Sequence, residues 1–173
     1  MTRGTKSLVV LALLVGFGSV AVAQETLKEV VEQEGLGWLM GQWKTTTDEG
    51  QEIVLTYRWA VNGHAIISLL KMGERSSQGL IYFDAEAQEV KQFAIDSQGK
   101  ATKSTWASEY GKAKATTRMT NENGESRDVV IVYSKVSRTT INVAVHGVEY
   151  GVMSDNAAFE IDFNKVKRQK KAK

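Results

Sequence analysis

The 173-residue chain has no cysteine, no proline and only two histidines, His64 and His146. The absence of cysteine excludes disulfides, thiolate metal sites and cysteine nucleophiles, so stability must come from packing and the backbone ladder. The absence of proline removes the residue that cannot donate to a ladder, which suits a body of strands and tight turns. Neither histidine stands at metal-ligand spacing from the other or from a carboxylate, and no metal site is expected. Asp84 and Asp96 follow apolar runs, but each loop has too few ligands for calcium and reads as a turn. There is no Gly-x-Ser-x-Gly elbow, phosphate loop or dinucleotide fingerprint. The chain therefore reads as a non-enzyme with no cofactor, a triad through His64 or His146 being the catalytic alternative left open.

Long apolar runs are equally scarce. The one present, Ser7 to Val20, follows Arg3 and Lys6 and leads into Ala21-Val22-Ala23. Its roughly 14 residues fall short of the about 20 that a membrane span needs, and small residues before Gln24 fit a signal-peptidase site. Residues 1–23 are expected to be a cleaved signal peptide, and the remainder an exported protein of the periplasm or extracellular space. A membrane anchor is the competing reading.

Charge divides by segment. The whole chain carries +2, but residues 24–164 hold 14 bases against 20 acids, and residues 165–173 add six bases and no acid. An acidic body thus ends in a basic tail. One reading of the tail is a solubilising end; the other is attraction to an anionic membrane surface. Nucleic acid is not an expected partner for an exported protein with an acidic body. The sequence carries no signal for oligomeric state.

Within 24–35, Leu27, Val30 and Val31 at helical spacing, Glu25 at the start and Gly35 at the end predict one short amphipathic helix. After Trp43 the hydrophobic period becomes two. Strands are expected after Trp43 and over Ile53–Trp59, His64–Met72, Gly79–Phe83, Glu89–Asp96, Thr102–Ser108, Ala113–Thr120, Asp128–Val136, Thr140–His146 and Ala158–Phe163, separated by turn-formers such as Asn62-Gly63, Gln98-Gly99 and Tyr110-Gly111. About ten short strands without crossover helices imply an all-β, up-and-down antiparallel sheet. Closure into a barrel removes the two long edges an open sheet would expose. A barrel of that size has room for one small ligand.

Gly41-Gln42-Trp43, just after the short helix, resembles the Gly-x-Trp signature of the calycins, the lipocalin and fatty-acid-binding-protein superfamily. Leu39 to Trp43, Trp59 to Gly63, Gly79 to Asp84 and Ile95 to Gly99 are similar, in that order, to a bacterial family of unknown function with a calycin-like barrel. The resemblance covers most of residues 36–166 and implies a calycin-like domain over 36–164. It also implies that Gly41 and Trp43 form the barrel-closing motif, with Trp43 stacked on a basic residue near the last strand, Lys165 or Arg168. Some calycin-like barrels hold haem through a histidine near the C-terminal strands, where His146 lies. That histidine shares parity with Asn142 and Ala144, opposite Ile141, Val143 and Val145, so it is expected to face solvent, and His64 beside its turn likewise.

Tyr57, Trp59, Phe93 and Trp106 are expected on the barrel interior as ligand-binding residues, or else as plain core. Two function classes follow. One is an envelope carrier for a small apolar, lipid-like ligand; the other is a packed structural or interaction module, with a haem-binding barrel a further alternative. Interior volume separates the first two, since a cavity above about 300 Å³ favours the carrier.

Overall fold

The computed structural model describes residues 26–120 and 123–167. The expected signal peptide, Arg168 and the rest of the basic tail beyond Lys167 lie outside the described residues, as do Asn121 and Glu122. Among the described residues no helix is long and apolar enough to cross a membrane.

The chain opens with α1 (Leu27–Gln33) and a 3-10 turn (Gly37–Leu39), followed by β1 (Gly41–Thr46), β2 (Glu52–Ala60), β3 (Ala65–Met72), β4 (Arg75–Asp84), β5 (Glu89–Asp96), β6 (Ala101–Glu109), β7 (Lys112–Thr120), β8 (Ser126–Lys135), β9 (Thr140–Glu149) and β10 (Val152–Lys165). Each strand pairs antiparallel with its sequence neighbour, and β10 returns to β1, closing a ten-stranded up-and-down barrel. This is the expected architecture, and it is consistent with a calycin-like fold.

Two strands are longer than their sequence signal. β4 begins at Arg75 rather than Gly79, and β10 at Val152 rather than Ala158. At the start of β4 the inward positions are Arg75 and Ser77, so hydrophobic alternation is absent although the ladder to β3 is complete. In β10, register shifts between Met153, Ala157 and Phe159 break the period of two. The expected Asn62-Gly63 turn begins one residue earlier, with Val61 and Asn62 both at positive φ, 49° and 53°.

One end of the barrel is sealed. Thr26 caps α1, its hydroxyl accepting from the Glu29 N–H while the Glu29 carboxylate accepts from the Thr26 N–H. The Thr26 N–H, and after it the Thr26 hydroxyl, which also donates to the Glu29 carboxylate at 2.9 Å, hold that carboxyl below its usual range. The helix lies across the end and buries Leu27 among Leu36, Leu39, Trp43, Ile66, Ile141 and Phe163.

Trp43 is 1% exposed. Its indole N–H donates to the Leu39 carbonyl at 2.9 Å, and the Lys165 ammonium stands 4.7 Å from the ring centroid. Of the two bases expected near this tryptophan, Lys165 makes the contact. Gly41, at φ +130°, leaves space for it, because a Cβ there would sit 3.0 Å from Lys165 Cε. This cluster also locks the narrowest seam of the ring, where β1 and β10 share the pairs Trp43–Lys165 and Lys44–Asn164.

Truncating the plug, Trp43→Ala, is expected to lower unfolding free energy by about 3–5 kcal/mol, and Lys165→Met by about 0.5–1 kcal/mol through loss of the cation–π contact. Equilibrium urea unfolding followed by circular dichroism measures both; a Trp43→Ala loss below 1 kcal/mol would contradict the plug assignment.

Candidate functional site: a two-walled barrel cavity

The opposite end is open, ringed by the hairpins that join β1–β2, β3–β4, β5–β6, β7–β8 and β9–β10. From this mouth a cavity of about 600 Å³ runs into the barrel. Its shape follows from a change in the inward face along the middle strands. Near α1 the inward residues of β3–β7 are Ile66, Ile81, Val90, Trp106 and Ala113; toward the mouth they become Ser68, Ser77, Gln92, Ser104 and Thr117. Small polar side chains fill less space, and they leave the void. The facing wall stays apolar, with Leu55 on β2 and Ile131 on β8.

The floor is an aromatic cluster. Trp106 stacks on Tyr133 at 5.4 Å between centroids and an interplanar angle of 18°. Tyr57 meets both rings edge-on, at 6.3 Å from Trp106 and 6.1 Å from Tyr133. Burial pushes the Tyr57 hydroxyl well above the usual phenol range, helped by repulsion from Tyr133 and by the hydrogen bond Tyr57 donates to it. Tyr133 is also raised by burial, partly offset because its oxygen accepts that bond. Both hydroxyls are neutral at any physiological pH.

A short polar chain runs along the wall above the floor. The Trp106 indole N–H donates to Gln92 Oε1 at 2.8 Å, and Gln92 Nε2 donates to Ser68 Oγ at 3.0 Å. Gln92 reaches Ser68 across β4 because Gly79 lies between them. A Cβ at Gly79 would stand 2.7 Å from both Gln92 Nε2 and Ser68 Oγ, closer than real Cβ contacts permit, and 3.0 Å from the Ala94 Cβ. The glycine is therefore part of the site. Arg75, Lys100 and Asp96 are among the lining residues toward the mouth, Asp96 being the one carboxylate among the described lining residues. Asp96 already accepts the backbone N–H groups of Gln98 and Lys100.

The four aromatics expected on the interior separate into three fates. Tyr57 and Trp106 line the cavity. Trp59 packs half-buried against the core at the sealed end and stays off the cavity wall. Phe93 requires a correction, because it is 42% exposed and points outward while its neighbours Gln92 and Ala94 point in. In β5 the bulky residue is on the outer face, and choosing the inner face by size inverts the parity. Tyr133, Gln92, Ser68 and Gly79 were not singled out from the sequence. In β8 both parities are apolar, with Val129, Ile131 and Tyr133 on one face and Val130 and Val132 on the other, so alternation does not choose a face for Tyr133; inward Gln92 and Ser68 run against hydrophobic alternation.

His64 is exposed at the sealed end. His146 is on the outward face, half-buried rather than free, with Nδ1 donating to the Ser154 carbonyl at 2.9 Å. Neither histidine reaches the cavity. Among the described residues no group of three histidine, aspartate or glutamate side chains gathers to hold a metal ion.

The buried phenols give the fold an alkaline limit. Their folded values lie above the ordinary phenol value near 10, so the unfolded chain loses these protons first as pH rises. Their contribution to stability is complete below pH 10 and declines above it. The stability of the wild type relative to a Tyr57→Phe/Tyr133→Phe variant is therefore expected to fall as pH rises through and above the ordinary phenol value near 10 in urea unfolding; a constant difference would contradict the burial of both hydroxyls.

In comparison with known proteins, no family model matches the chain and no curated protein is similar to it.

Proposed function

We propose that this chain is an exported binding or carrier protein whose barrel encloses one small amphipathic molecule. The observation that carries this reading is the cavity of about 600 Å³, within the roughly 300–1,000 Å³ of small-molecule sites and above the volume a packed module would leave. The wall chemistry narrows the expected apolar occupant to an amphipathic one. An apolar or planar portion fits against Leu55, Ile131 and the aromatic floor, while hydrogen-bonding groups face Ser68, Gln92, Ser104 and Thr117. The cavity lining holds three bases, Arg75, Lys100 and Arg118, against one carboxylate, Asp96, and this excess of positive charge favours a negatively charged group toward the mouth.

The same lining argues against catalysis as the primary role. Among the described lining residues there is no histidine, and the one carboxylate is engaged by turn amides. A haem reading finds no support in the placement of His146 and His64, which stand away from the cavity.

Native mass spectrometry of the protein purified from its own host, followed by organic extraction, tests the proposal. A single stoichiometric passenger with an apolar body and a polar or anionic head is the expected result. A clean unliganded mass, together with no uptake of added amphiphiles, would overturn it.

A further inference from the structure

The outer face of β3–β5 is unusual for the outside of a barrel. Leu80 pairs with Phe93 across β4–β5, Ile67 pairs with Leu80 across β3–β4, and Leu69 and Ile95 flank them on either side of Gln78. Leu80, Phe93 and Ile95 are 43%, 42% and 47% exposed, and Tyr82 adjoins them at 37%. Exposed apolar residues scattered singly need no explanation, but these form one contiguous patch spanning three strands.

The fringe of the patch is cationic. In the same outward rows stand Arg58 beside Ile67, Lys71 beyond Leu69, and Lys103 opposite Phe93. None of these three makes an ion pair among the described residues. The carboxylates on the outer face of β2–β6 stand at strand ends and are already engaged: Glu52 with Lys44, Asp84 and Glu89 with Lys91, and Glu109 with Lys114. The far side of the barrel has the opposite sign, since the outward positions of β8–β10 carry Asp128, Glu160 and Asp162 and no lysine or arginine. A body with an excess of acids thus has one face, and that face also bears the apolar patch, where bases stand alone.

We propose that this face docks the protein onto an anionic lipid bilayer, with Leu80, Phe93 and Ile95 entering the headgroup boundary and Arg58, Lys71 and Lys103 meeting the lipid phosphates. Apolar residues ringed by bases match a surface whose interior is apolar and whose headgroups are negative. A second copy of the chain fits less well, because a two-fold contact through this patch would bring like charges together. The attachment is distinct from any role of the basic tail, and it holds whether or not the cavity carries a ligand.

The cysteine-free sequence permits a direct test with single labels. Gln78→Cys, inside the patch, and Glu160→Cys, on the acidic side, are each labelled with an environment-sensitive fluorophore in the chain from Gln24, which keeps every described element. They are then mixed with vesicles of phosphatidylcholine containing one-third phosphatidylglycerol. The proposal expects a blue shift at position 78 and none at 160, no shift with pure phosphatidylcholine, and reversal in high salt. In the Gln78→Cys background, Arg58→Ser and Lys103→Ser each lower partitioning about five-fold, and Phe93→Ser weakens it further. Circular dichroism confirms that each variant is folded. Vesicle binding with position 78 silent would assign attachment to the tail and overturn the proposal. So would no binding at all, including the case in which this face instead captures an acidic protein.

Discussion

Burial of Trp43 is the constraint on which the rest of this structure depends. The indole is enclosed on every side, its N–H is satisfied by Leu39, and its ring is covered by the Lys165 ammonium. Those contacts join the first strand, the last strand and the segment after α1 into one knot, at the seam where strand pairing is shortest. A ring of ten strands closes only if that seam holds. With one end packed around Trp43, Phe163 and Ile141, the hydrophobic stabilisation of the fold is concentrated there. The other half of the barrel does not need to be filled.

That division of labour explains the asymmetry of the interior. Strands β3–β7 change from branched and aromatic residues near α1 to serine, glutamine and threonine near the mouth, while Leu55 and Ile131 keep the opposite wall apolar. Polar residues facing inward are costly unless they are hydrogen-bonded or wet. Ser68, Gln92 and Trp106 satisfy one another in a chain, and the lack of a side chain at Gly79 makes the chain possible. Trp106 links the two halves: it stacks in the floor of the large cavity and also bounds a smaller one, about 230 Å³, beneath α1. The outside of the barrel is divided as well, into a basic, apolar face and an acidic one.

Much of the architecture was legible because strand periodicity is a local property. Ile53, Leu55, Tyr57 and Trp59 alternate as a half-buried strand must, and a run of such segments without helices between them leads to a closed antiparallel sheet. The Gly41–Trp43 plug was legible by resemblance, and Lys165 as its partner was one of two candidates. The site was legible only in part. Tyr57 and Trp106 are both bulky and inward, so size and parity agree. At Phe93 they disagree, and size misleads. Gln92, Ser68 and Gly79 give no apolar signal at all, because their role is to leave space and exchange hydrogen bonds across strands that are distant in sequence. The polar half of β4 and the bulged half of β10 were missed for the same reason, since alternation fails where the inner face meets water or the register shifts.

The proposal that the polar half of the barrel is a binding volume is tested by filling that half. Ser104 faces inward beside Gln92, and its side chain makes no hydrogen bond among the described residues, so Ser104→Phe puts a ring into the cavity without breaking one. Fluorescence titration with anilinonaphthalene sulfonate, an aromatic amphiphile with one negative charge, is compared between the wild type and this variant. One bound probe per wild-type chain and at least a ten-fold weaker affinity in the folded variant, about 1.4 kcal/mol, are expected. Equal binding by both proteins would place the probe elsewhere and contradict the assignment.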